Sequence, residues 1–186
     1  MPWVFQSRCV TTDFSDSGED HKEELTLYQL FKEDQRMSVP GLDVFDSTLQ
    51  KTNLWLNDIM QELGWEGERQ RAYLALRSVL HALRDRLTVE EALDLGAQLP
   101  MLVRGFYYEG WKTAGKPLKE RHRADFLAHV AHDFRDDKRR DPEAIARAVF
   151  TVIARHASAG EIEDIKRILP AELRELWTTA PGRTWE

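Results

Sequence analysis

The stretch Thr88–Arg104 and the stretch Ser158–Arg174 align without a gap at an offset of 70 residues. Thr88 falls on Ser158, Glu91 on Glu161, Leu95 on Ile165, Leu99 on Leu169, Pro100 on Pro170 and Arg104 on Arg174. Upstream, Arg77, Val79 and Leu80 meet Arg147, Val149 and Phe150; downstream, Tyr107 meets Trp177. A chain that repeats itself over such a span builds the same local unit twice, which leaves few architectures open. Both copies open on a capping box, Thr88-x-x-Glu91 and Ser158-x-x-Glu161, in which a hydroxyl accepts from the third helical amide and the glutamate reaches back. Apolar residues then recur at Ala92, Leu95 and Leu99, and at Ile162, Ile165 and Leu169, a spacing that gives one buried helical stripe. Pro100 and Pro170 stop that helix and suit the first position of the next. The expectation is an all-α fold, a helical bundle of two tandem pseudo-symmetric repeats of about four helices each, packed into one domain about an approximate two-fold.

Along the chain, residues 1–40 read as an acidic extension, 41–111 as the first repeat, 112–120 as a linker, 121–177 as the second repeat and 178–186 as a tail. Ser15–Asp20 is polar and acidic, in the manner of disordered segments. Glu24–Phe31 has the pattern of an amphipathic helix that docks on the body or on a partner helix. A start of translation at Met37 is the alternative, and both readings stay open. In the first repeat, Asp46 or Ser47 caps a helix with apolar positions Leu49, Leu56, Ile59 and Leu63, and Gly64 ends it. A second helix covers about 68–86, with Leu76, Leu80, Leu83 and Leu87 inward, and places Gln70, Arg77, His81 and Arg84 on an exposed face. Helices over 89–99 and 101–108 follow, the last ending near Gly110. In the second repeat a helix near 121–134 buries Phe126, Leu127, Val130 and Phe134. Asp141-Pro142 then opens a helix to His156, followed by a capped helix over 159–169 and a short one to Trp177. No strand is expected.

Leu99–Trp111, Asp125–Val130, Gly160–Ile165 and Leu169–Trp177 stand in an order and spacing that resembles the bacterial domain-of-unknown-function family 2267, over about residues 41–177. The resemblance implies a compact all-helical fold with no established activity and no catalytic residue to carry over. The first 36 residues lie outside its pattern.

Several function classes lose support from composition. The net charge is −6, with 26 basic and 32 acidic side chains. Residues 1–36 contribute −4 of it, leaving a nearly neutral body without the basic footprint that binding to phosphate backbones requires. Nucleic acid is therefore a disfavoured partner. No apolar run reaches membrane-span length, and the first residues lack a secretory pattern. The single cysteine, Cys9, forms no internal disulfide and no zinc motif. A cytoplasmic location is the simple expectation. Gly-rich phosphate loops, a nucleophile elbow and His-Glu-x-x-His are all missing from the sequence, so no cofactor and no catalytic residue are expected.

Two constellations remain. The aromatic run Arg104–Trp111 carries more Tyr and Trp than a repeat core needs, and such side chains are enriched at interfaces. Arg104, Tyr107, Tyr108, Trp111 and Lys112 are the expected partner-binding residues, the partner being a second copy or another protein. The basic residues Lys112, Lys116, Lys119, Arg121 and Arg123 adjoin them. The other constellation is His122, Asp125, His129, His132 and Asp133, within an arc of about 100° on one helix. Imidazole and carboxylate suit a transition metal, so this face is the alternative, a metal- or small-ligand-binding surface with a role in catalysis open. The same pattern also describes a solvated helix face.

Overall fold

A computed structural model describes residues 42–139 and 141–177. The expected acidic extension, the Glu24–Phe31 helix and the tail lie outside the described residues. Among these, eight α-helices and one 3₁₀ turn appear, and no strand. They are α1 (Asp43–Leu63), α2 (Arg69–Arg84), α3 (Val89–Gln98), α4 (Met101–Tyr108), α5 (Arg123–Asp133), α6 (Pro142–His156), α7 (Ala159–Ile168), α8 (Ala171–Arg174) and the 3₁₀ turn Glu175–Trp177.

The helix punctuation follows the local chemistry. Thr88 Oγ1 accepts from Glu91 N at 3.3 Å and Ser158 Oγ from Glu161 N at 3.3 Å, so α3 and α7 start on matching caps. Only the hydroxyl half of each expected box forms: no bond from the glutamate back to the cap amide is present among the described residues, and Glu161 Oε1 is buried without a hydrogen-bond partner. Asp141 Oδ1 accepts from Glu143 N and Ala144 N, both at 3.1 Å, ahead of Pro142 in the first turn of α6. At the end of α1, Gly64 takes φ +64°, and Trp65 N donates to Met60 O at 2.9 Å, a Schellman closure that needs the left-handed residue.

In the packing, α1 lies on α2 and α6, and α2 lies on α5 and α6. Helix α5 packs on α6 and α8, and α4 on α1 and α2. Helices α3 and α7 meet each other. The described residues from Asp43 to Trp177 form one compact unit. Its centre is the pair α2 and α6, which contribute Leu76, Val79, Leu80 and Leu83 from one side and Val149, Phe150, Val152 and Ile153 from the other. Phe150 stacks on Trp177 at 4.4 Å between ring centroids and touches Phe126 at 5.7 Å.

Four expectations need correction. Helix α1 begins at Asp43, ahead of the expected Asp46 or Ser47 cap. Its first turns run past the core, which leaves Leu49 half exposed instead of buried. Pro100 and Pro170 occupy the N-cap with extended ψ, one residue before the helical start expected of them. Arg84 is buried and His81 half-buried, not exposed. Helix α4 ends against them, and its last carbonyls have no intrahelical donor. His81 Nε2 lies 2.6 Å from Phe106 O, and the Arg84 guanidinium donates to Tyr107 O and, at 3.4 Å, to Glu109 O. Two side chains of α2 thus cap the C-terminus of α4. Burial pushes the His81 imidazole below its usual value, ahead of the opposing effect of its bond to Phe106, so a neutral ring donates to that carbonyl.

Candidate functional site

The first turns of α1 carry Val44, Phe45 and Leu49, each about half exposed, and the start of α4 adds Met101 and Leu102 in the same state. The two helices are joined there by one bond, Leu102 N donating to Thr48 Oγ1 at 3.1 Å. Hollows flank α1 on either side. One is a mainly apolar groove of about 590 Å³, walled by Leu49, Leu56, Tyr73, Leu102 and Phe106, with Arg69 at its edge. Tyr73 and Phe106 meet edge to face at 5.3 Å and form its floor. The other is a more polar cleft of about 580 Å³, reached by Lys51, Gln98, Arg104 and His156 over Trp55 and Pro100.

Behind the cleft, the His156 ring stacks on Trp55 at 5.0 Å, and its Nε2 lies 2.7 Å from Asp58 Oδ2. Arg155 reaches Asp58 at 3.4 Å and Glu62 at 2.7 Å. Asp58 is buried, so the donors from α6 offset the desolvation of its carboxylate. A comparable arrangement stands at the end of α2. Arg86 lies 5.2 Å over the Phe126 ring, with Nη2 3.4 Å from His129 Nδ1 and 2.6 Å from Glu120. Burial, and then the Arg86 charge, lower the His129 imidazole below its usual value.

The expected partner-binding residues divide. Tyr107 is fully buried, with its hydroxyl donating to Ala92 O at 3.0 Å; burial raises its ionisation well above the ordinary tyrosine range. Tyr108 is half-buried against Gly96, where an added Cβ would stand 1.9 Å from the tyrosine hydroxyl, so glycine makes room for the ring. Trp111 stacks on Tyr108 at 5.8 Å, and the Arg84 guanidinium lies 5.7 Å over it. The structure therefore brings Tyr107, Tyr108 and Trp111 together as the packing of α4 on α2 and α3. Arg104 is elsewhere, in the polar cleft, and Lys112 is exposed beyond the end of α4. Of the adjoining basic residues, Lys116 pairs with Asp85 at 2.6 Å and Arg123 with Glu143.

The His/Asp face is broken up. His122 lies outside α5 as its N-cap residue, 3.4 Å from Glu172. His129 faces Arg86, while Asp133 pairs with His132 at 3.4 Å and Arg77 at 3.8 Å. Asp125 offers its backbone carbonyl to His129 at 3.2 Å. Arg77 of α2 and Arg86 just beyond its end stand among these groups, and no three His, Cys, Asp or Glu side chains among the described residues converge to hold a metal ion.

Helices α3 and α7 bring carboxylates of like charge together. Burial raises the Glu161 carboxyl above its usual value, with Asp94 and Glu91 adding to the effect; burial likewise raises Glu91, with Asp164 and Asp94 adding. A carboxyl raised in the folded state binds its proton more tightly there than in the unfolded chain, so its charge opposes folding above the raised value. That penalty fades as pH falls towards the ordinary carboxylate range. Glu161→Gln is expected to raise the thermal midpoint at pH 7 and to lose this gain near pH 4, as read by parallel calorimetric scans.

Sequence reasoning missed the Trp55, Asp58 and His156 group because 98 residues separate its two carboxylate-bonded members. The repeat offset held the signal: Phe126 and His129 stand 71 residues after Trp55 and Asp58, and Arg86 stands 70 before His156.

None of the described helices is long and apolar enough to cross a membrane. A family model described as "Uncharacterized conserved protein" matches residues 52–176. It begins eleven residues later than the start expected from the resemblance, so the first turns of α1 precede it. No curated protein matches the chain.

Proposed function

The chain belongs to the DUF2267 family, and we propose that its helical body is a non-enzymatic assembly module that pairs with a second copy of itself through α1 and α4. The observation that carries this reading is the face made by Phe45, Leu49 and Leu102, half-exposed apolar side chains beside an apolar groove. Clusters of this kind mark association surfaces, whereas single exposed apolar residues do not. Ridge and groove share one face, as an isologous two-fold contact requires. The charges fit the same operator. Asp43 and Asp46 lie in the first turn of α1, and Arg69, 3.2 Å from Asn57, lies towards its other end. An antiparallel second copy sets each acidic end beside the other's Arg69.

Gene duplication accounts for the body itself. Exchange α1 with α5, α2 with α6, α3 with α7 and α4 with the α8–3₁₀ segment, and α1–α2 becomes α5–α6, α2–α5 becomes α6–α1, and α1–α4 becomes α5–α8. The Asp58–His156 and His129–Arg86 contacts exchange likewise. The long first turns of α1 have no counterpart in α5, and they supply the proposed contact. A single cysteine suits a reducing cytoplasm.

Light scattering on a sizing column tests the assembly. The wild type is expected to elute with the mass of a dimer at about 100 µM, and Phe45→Asp/Leu49→Asp as a folded monomer with unchanged helicity. A monomeric wild type, or a variant of unchanged mass, overturns the proposal.

A further inference from the structure

Beyond self-association, we infer that the polar cleft on the other flank of α1 binds a small amphipathic carboxylate. Its volume of about 580 Å³ falls within the range of small-molecule sites. Three basic side chains line it: Lys51, Arg104 and His156. Each is positioned differently. Arg104 uses a single nitrogen, Nη2, to hold Ala97 O at 3.0 Å and Leu99 O at 3.1 Å at the end of α3. Its Nη1 makes no bond among the described residues and is free to donate to one oxygen of a carboxylate, while the two backbone bonds hold the guanidinium in place. His156 is fixed by Asp58 at Nε2 and by Trp55 against its ring, which leaves Nδ1 for another polar group. Lys51 has no ion pair among the described residues. Val44, Leu54, Pro100 and Met101 line the same cleft and give apolar contact for a hydrocarbon body.

No acidic side chain lines the cleft among the described residues, so Lys51 and Arg104 give it cationic charge in excess. Lys51 and Val44 lie in the turns of α1 that precede the stretch matched by the family, so this wall belongs to the part of α1 outside the match.

Octanoate titrated into the ¹⁵N-labelled full chain, followed by amide NMR, is the test. Shifts are expected at Thr48, Lys51, Gln98, Met101 and Arg104, with saturation at a 1:1 ratio. Lys51→Glu, an exposed change that leaves the fold intact, is expected to weaken the affinity at least about tenfold. Shifts at Tyr73 and Phe106 instead would move binding to the apolar groove and overturn the inference. So would an affinity unchanged by Lys51→Glu, or an absence of shifts at about 10 mM octanoate. The cleft and the apolar groove share no lining residue, and the assembly is read by mass rather than by shifts, so this result and the failure of the assembly reading are separable.

Discussion

Arg84→Ala is expected to cost about 3–5 kcal/mol of folding stability, as for removing one partner of a buried charged cluster. The cost follows from what Arg84 holds. Its guanidinium donates to Tyr107 O, reaches Glu109 O at 3.4 Å and pairs through Nε with Asp85 at 3.3 Å. Alanine leaves the buried carbonyl of Tyr107 without this donor, and such an orphan costs about 1–3 kcal/mol. The guanidinium also lies 5.9 Å over Tyr107 and 5.7 Å over Trp111, so the aromatic packing loosens with it. Arg84→Lys is expected to recover less than half of the loss, since one ammonium cannot span carbonyl, carboxylate and ring faces together. Urea unfolding of the three proteins measures this, and a loss below about 1 kcal/mol for Arg84→Ala would show the contacts to be incidental.

Asp58→Ala is expected to cost about 3 kcal/mol. It removes the acceptor of His156 Nε2 at 2.7 Å and of Arg155 at 3.4 Å, and opens space beside Trp55 in the packing of α1 on α6. A double-mutant cycle between Asp58 and His156 isolates the pair. Its coupling is expected to exceed that of the equivalent cycle between His129 and Arg86. A buried carboxylate and an imidazole make a charge-assisted bond, whereas Arg86 is already engaged by Glu120 at 2.6 Å. Equal couplings in chemical-denaturation data would contradict this account of the two contacts.

Local rules made the helices legible. Thr88, Ser158, Asp141 and Gly64 act within a few residues of their own position, so their roles can be read without tertiary structure. The apolar stripes of α2, α3, α6 and α7 were legible for the same reason. Long-range polar contacts were not. Arg84 and His81 fit an exposed stripe by helical angle, yet the end of α4 lies over them, and nothing at positions 81 and 84 announces a partner 25 residues away. Tyr107 and Trp111 read alike as interface residues because aromatic surplus has the same composition in a core and at a surface; the structure buries Tyr107 and leaves Trp111 partly exposed. Leu49 erred the other way. It continues the apolar period of α1 beyond the point where another helix is there to receive it, and that unreceived continuation makes the candidate contact face.

Cysteine cross-linking tests the self-pairing through α1 most directly. In a Cys9→Ser background, Leu49→Cys places the thiol near the proposed two-fold axis, and Leu93→Cys places it at an equally exposed position on α3. Under mild oxidation the Leu49→Cys protein is predicted to form a covalent dimer rapidly and almost completely, while the Leu93→Cys protein stays monomeric on a non-reducing gel. Equal rates at the two positions, or no dimer through Leu49→Cys, would contradict pairing through this face.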